Sequence, residues 1–154
     1  MTSKVYVALR VQAAPERAFA AFVEEIGAWW RPSPLFQTTP RPGLLSFEPG
    51  EGGRLIETRE GGKVFEIGRI RVWEPPRRLV FSWRQASFPL ELHTEVEVGF
   101  EAVGDETRVC IEHRGFDQVP QASAARHRFP DAVLLMRLAD FWRAQIAAVG
   151  ERLG

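Results

Sequence analysis

Gly68-Arg-Ile-Arg-Val-Trp-Glu-Pro-Pro-Arg-Arg-Leu-Val-Phe-Ser-Trp83 reads as two short β-runs joined at a proline pair. Ile70 and Val72 alternate with Arg69 and Arg71, and Leu79, Phe81 and Trp83 alternate with Val80 and Ser82. A period of two is the spacing of side chains that share one face of a strand. Pro75 and Pro76 remove two backbone donors and mark the turn between the runs. So short a gap favours antiparallel neighbours, because parallel strands need a crossover of about a dozen residues.

The same period extends in both directions. Upstream, Leu44 to Phe47 is one run, Arg54 to Arg59 a second after Pro49-Gly-Glu-Gly-Gly53, and Val64 to Trp73 a third after Gly61-Gly62. Arg78 to Trp83 is the fourth. Downstream, His93 to Val103 and Thr107 to Arg114 meet at Gly104-Asp105-Glu106, a hairpin signal. Near the N-terminus, Val5, Val7, Leu9 and Val11 alternate with Tyr6, Ala8 and Arg10 as a further strand.

Two stretches have helical spacing instead. Pro15 stands where a first helical turn tolerates proline, and Phe19, Phe22, Val23 and Ile26 follow. Gly27 interrupts, and Trp29-Trp30 lead into Arg31-Pro-Ser-Pro34 and a loop over Gln37–Gly43. After Asp117, Leu135, Leu138, Trp142, Ile146, Val149 and Leu153 step by three and four, widened by Leu134 and Phe141. This is a long amphipathic helix starting near Pro130 or Asp131. Gln121–Arg128 fits either a separate helix or a lid-like loop. The order predicts an α+β fold: a curved, seven-stranded antiparallel sheet around a long C-terminal helix, with one or two short helices between strands 1 and 2. The parities turn Val5, Val7, Leu9, Val11, Leu55, Ile70, Val72, Leu79, Phe81, Trp83, Val96, Val98, Phe100, Val109 and Ile111 toward the helix.

Composition narrows the function classes. A length of 154 residues suits one domain over residues 1–154, large enough to bury a core. Twenty Lys plus Arg balance twenty Asp plus Glu, so the charge surplus of a nucleic-acid or anionic-membrane binder is missing. The single Cys110 excludes an internal disulfide. The N-terminal stretch has no apolar leader and no stretch has the length of a membrane span, so a cytoplasmic location is expected. Seventeen aromatic residues, of which five are Trp, eleven Phe and one Tyr, make the ring surface almost wholly apolar.

Five ordered stretches resemble one family. Gly68–Trp83, Ile26-Gly-Ala-Trp-Trp30, Gly52-Gly-Arg54, His93-Thr-Glu-Val-Glu-Val-Gly-Phe100 and Thr107-Arg-Val-Cys-Ile-Glu-His-Arg-Gly115 are similar to the SRPBCC (START-like, Bet v 1-like) superfamily. The branch they resemble most is named after the activator of heat-shock protein 90 ATPase. The resemblance covers about residues 4–153 and implies a helix-grip fold with a cavity between sheet and helix. The superfamily includes lipid carriers, hormone receptors, polyketide cyclases and plant allergens. Where branch members often open the last helix with Gly-Trp, this chain reads Arg128-Phe-Pro-Asp-Ala-Val133, which alters the mouth of such a cavity. Chaperone stimulation in this family implies a further N-terminal domain, for which 154 residues leave no room.

The cavity-lining candidates are Phe19, Phe22, Trp29, Trp30, Ile70, Phe81, Trp83, Val98, Leu138 and Trp142, each of which could equally be packed core. Glu57 shares the parity of Leu55, and His113 that of Val109 and Ile111. An inward carboxylate and imidazole need partners, so they pair with each other, with structural donors, or with a ligand. His93, His113 and His127 lack metal-ligand spacing, so no metal and no cofactor is expected. Gly50-Glu-Gly-Gly53 precedes a strand and is a turn, and Arg126-His-Arg128 reads as a solvated basic cluster. No nucleophile constellation is identifiable, so the expected activity is binding of a small hydrophobic or aromatic molecule, with no nucleic-acid or membrane partner. The alternatives are a polyketide cyclase/dehydratase-like enzyme using Glu57 and His113, and a co-chaperone-like interaction module. A homodimer is compatible with all three.

Overall fold

The structure is a computed structural model that describes residues 4–41 and 43–154. Met1–Ser3 of the N-terminal stretch and Pro42 of the loop read over Gln37–Gly43 lie outside the described residues. The strands are β1 (Lys4–Val11), β2 (Leu44–Phe47), β3 (Arg54–Thr58), β4 (Val64–Glu74), β5 (Arg78–Trp83), β6 (Thr94–Val103) and β7 (Glu106–Arg114). The helices are α1 (Pro15–Glu24), α2 (Ile26–Trp29) and α3 (Asp131–Leu153). The elements expected from the periodicity are therefore present, each within a residue or two of its expected bounds.

Among the described residues the strands form one antiparallel sheet in the order β1-β7-β6-β5-β4-β3-β2. Five short connections give the meander β2 to β7, and β1 closes beside β7. The sheet curls into a half-barrel around α3, so the fold is the expected helix-grip. The β6–β7 turn holds only two residues, and Gly104 supplies its left-handed backbone, φ 60°. Gly68 answers a different need: a Cβ there would lie 1.6 Å from the Ser82 carbonyl oxygen, so only glycine lets β4 pass.

Two inner-face assignments change. The register shifts between Ile70 and Val72, so Ile70 faces Phe81 but Val72 faces Val80 and Trp73 faces Leu79. The extra residue flips the parity and brings Trp73, not Val72, against Phe19, with ring centroids 5.2 Å apart. Leu9 keeps its register opposite Val109 but is 36% exposed, because β1 is an edge strand with one flank open. The remaining positions of the expected inner face are buried.

α3 buries Leu134, Leu138, Phe141, Trp142, Gln145, Ile146, Ala148 and Val149. Gln145 is the polar exception, and it is a clamp: Nε2 donates to the Arg31 carbonyl at 2.6 Å and Oε1 accepts from the Arg31 N–H at 3.0 Å. The chain leaving α2 is thereby fixed to the helix. Between β7 and α3 the chain forms two 3₁₀ turns, Phe116–Gln118 and Ala124–Arg126, rather than a further α-helix. Arg126 is buried, which corrects the reading of a solvated cluster. Its Nη1 donates to the carbonyls of Phe116 and Val119, both at 3.0 Å, and its Nη2 pairs with Asp131. Among the described residues no helix is long and apolar enough to cross a membrane.

Candidate functional site

The ends of β3, β5 and β7 and the starts of β2, β4, β6 and α3 lie together, so four loops gather there: residues 31–43, 59–63, 84–93 and 115–130. Under them the rings of the sheet and helix meet. Trp83 contacts Trp142 and Trp30, with centroids 5.8 and 5.7 Å apart, and Trp30 contacts Phe141 at 5.6 Å. Trp29 links this group to a second, toward α1, where Phe22 touches Trp29 at 4.9 Å and Phe100 at 5.9 Å. The Trp29 indole N–H donates to the Ala21 carbonyl at 3.0 Å. Ile70, Phe81, Val98 and Leu138 are buried on the faces between the two groups. Phe19 touches Phe100 at 5.1 Å and also lines an outer groove of about 330 Å³ with Trp73, Pro49, Pro75 and Pro76.

His113 and Glu57 both point inward, but the structure gives them separate partners. Three strands, β6, β5 and β4, stand between their own. The Trp142 indole can only donate, so His113 Nδ1 accepts from it at 3.0 Å. The neutral ring then carries its proton on Nε2 and donates to Thr94 Oγ1 at 2.7 Å, while the Thr94 hydroxyl turns to the Trp83 carbonyl, 3.3 Å away. Burial, with Arg114 beside it, pushes the imidazole pKa down to about 3. The ring is a neutral structural bridge from α3 to the sheet, edge-on to Phe116 and Trp142.

Glu57, fully buried, accepts three hydrogen bonds. Thr39 Oγ1 donates to Oε1 at 2.6 Å, and Thr38 Oγ1 and the Gly43 N–H donate to Oε2 at 2.7 and 3.0 Å. The carboxylate thus holds the 31–43 loop down on β3. On the outer side of that loop lies a cleft of about 300 Å³. Pro34, Leu35, Thr38, Gln85, Ala86 and His127 are among its walls, with apolar surface in the majority. Cross-loop bonds fix its shape: the Ala86 N–H donates to the Thr38 carbonyl at 2.7 Å, Ser123 Oγ to the Ser87 carbonyl at 3.3 Å, and His127 Nε2 meets the Leu35 carbonyl. Phe36 is buried next to the cleft and links it to the ring cluster, touching His127 at 5.9 Å and Phe141 at 5.5 Å.

One polar atom at the cleft is unsatisfied. Gln85 is only 2% exposed, and its Oε1 has no hydrogen-bond partner among the described residues. Strand parity marks Glu57 and His113 in the sequence, whereas Thr38, Thr39, Gln85 and His127 lie in loops without a period and carry no such mark. A Thr-Thr pair in the loop facing an inward carboxylate was the one available signal. Among the described residues no group of three or more His, Cys, Asp or Glu is placed to hold a metal ion.

Comparison with known proteins supplies a frame for this geometry. Residues 12–139 match the model of a family described as Activator of Hsp90 ATPase homolog 1-like protein. The solved structures similar to the chain include a protein of Mesorhizobium loti, 18% identical, with a TM-score of 0.67 over 97% of this chain and 95% of that one. An Hsp90 activator from Plasmodium falciparum is 17% identical, with a TM-score of 0.63 over 90% and 86%. The Aha1 dimer from Colwellia psychrerythraea is 15% identical, with a TM-score of 0.64 over 98% and 96%. At these identities the likeness shows the fold. No curated protein matches the sequence significantly.

Proposed function

The chain belongs to the Activator of Hsp90 ATPase homolog 1-like family, and from that premise we propose that it binds a small hydrophobic or aromatic molecule between the sheet and the C-terminal helix, entered at the loop end. The observation that carries this reading is the cleft of about 300 Å³ among the loops at that end, whose wall residue His127 touches Phe36. An apolar cavity of about 150 Å³ is enough to hold benzene, so this volume suits a one- or two-ring molecule. Phe36 is the gate in this account. A ligand that displaces it reaches the Trp30, Trp83 and Trp142 rings, where Phe19, Phe22, Trp29, Ile70, Phe81, Val98 and Leu138 extend the apolar lining, with Glu57 and His113, already bonded within the protein, at its polar ends.

The account takes the protein as cytoplasmic. It leaves the edge strand β1, where Tyr6 is 53% exposed, open to a second copy, a homodimer that sedimentation velocity would read. The reading is tested by native mass spectrometry and thermal-shift screening with substituted benzenes, naphthalenes and medium-chain fatty acids. A ligand at about one hundred times its Kd stabilises the fold by about 2.7 kcal/mol, a shift of several degrees in Tm. Ala86→Trp, which fills the cleft with an indole, abolishes that shift. A screen in which no compound forms an adduct or raises Tm overturns the proposal.

A further inference from the structure

We propose that the cleft selects apolar molecules bearing a hydrogen-bond donor, such as a phenolic hydroxyl or an aromatic N–H, and that Gln85 Oε1 is the acceptor. This rests on the binding reading above and names its ligand class. Along the cleft, four donors are already committed within the protein: the Thr38 and Thr39 hydroxyls to Glu57, the Ala86 N–H to the Thr38 carbonyl, and His127 Nε2 to the Leu35 carbonyl. With their protons turned to Glu57, the two threonine oxygens offer only lone pairs to anything else. Among the described residues Gln85 Oε1 is an acceptor left without a hydrogen bond, buried just behind this wall on a side chain 98% removed from solvent. Buried polar atoms without partners are uncommon and costly, which makes this one a standing demand for a donor. The terminal torsion of glutamine is broad, so a small turn of the amide brings Oε1 to a donor in the cleft.

The chemistry makes a sharp distinction among ligands of one shape. A phenol entering an apolar site gives up its bond to water, so without an acceptor it binds more weakly than the matching hydrocarbon. With an acceptor waiting it binds more tightly, while a methyl ether has no proton to give and gains nothing.

Isothermal titration of 4-ethylphenol, 4-ethylanisole and ethylbenzene into the full chain and into Gln85→Met tests this. The wild type is expected to bind the phenol about tenfold more tightly than the ether. In Gln85→Met the preference falls below about twofold, ethylbenzene binds at least as well as before, and Tm is no lower, since the substitution removes an unsatisfied atom. Equal binding of phenol and ether by the wild type, or a preference that survives in Gln85→Met, overturns the assignment while ethylbenzene binding keeps the parent reading intact. If none of the three binds, the parent reading fails and the assignment fails with it.

Discussion

Two buried polar centres lie at the loop end of the sheet, and they are finished differently. Around His113 every polar atom is matched: Trp142 fills Nδ1, Thr94 takes the Nε2 proton, and the Thr94 hydroxyl has the Trp83 carbonyl. At the cleft, Glu57 is matched by Thr38, Thr39 and Gly43, but Gln85 Oε1 beside them is left open. A closed network fixes one arrangement of the core and has nothing further to accept. An open one next to space is where a second molecule has work to do. The difference separates residues that hold the fold from residues that meet a ligand, although both kinds are buried.

Truncations in the two regions should therefore have unequal costs. Trp142→Ala removes a fully buried indole from the ring cluster and leaves His113 Nδ1 without its donor, so a loss of about 4 kcal/mol in urea unfolding is expected. Leu35→Ala at the cleft wall costs less than about 1 kcal/mol in the same experiment. Similar losses at both positions would erase the distinction. His113→Leu keeps the volume but strands the Trp142 and Thr94 groups, at about 2 kcal/mol, whereas Gln85→Met strands nothing and leaves stability unchanged or higher. A large loss in Gln85→Met would mean that its amide is bonded after all.

A smaller effect is set by pH. The His113 pKa is about 3 in the fold, against about 6.5 when unfolded, so the unfolded chain binds the extra proton between those values. Stability from this group is complete above about pH 6.5 and is lost as pH falls toward 3. Between pH 7 and 5.5 the expected loss is about 1 kcal/mol, and His113→Leu should abolish that slope. Chemical denaturation across this range reads it. An unchanged slope in the variant would assign the pH dependence to other groups.

Much of the fold was legible because its signals are periodic. The alternation in β5 to β7 and the three-four steps of α3 are repeated over many residues, and they located the apolar inner-face residues of those strands, though not the buried Thr94 and Thr107. Single-residue events were not legible. The bulge at Arg71 exchanges Val72 for Trp73 with no mark in composition, and exposure of Leu9 depends on which strand lies at the edge. The loops hid most. Phe36, Phe88 and Phe116 are core residues in segments without a period, and Arg126, in a basic tripeptide that looks solvated, is a buried clasp between Phe116, Val119 and Asp131. The inward parity of Glu57 and His113 was readable, but their partners come from chain 14 to 29 residues away, so whether they met each other was a tertiary fact. The candidate site is made of such facts: three loops, each unremarkable alone, enclosing one space.

Amide chemical-shift mapping during titration with 4-ethylphenol shows whether this space receives a ligand. The account predicts saturable shifts concentrated at Leu35, Thr38, Gln85, Ala86 and His127, extending to Phe36 and Phe141. No saturable shifts, or shifts confined to the outer groove around Phe19 and Trp73, would contradict it.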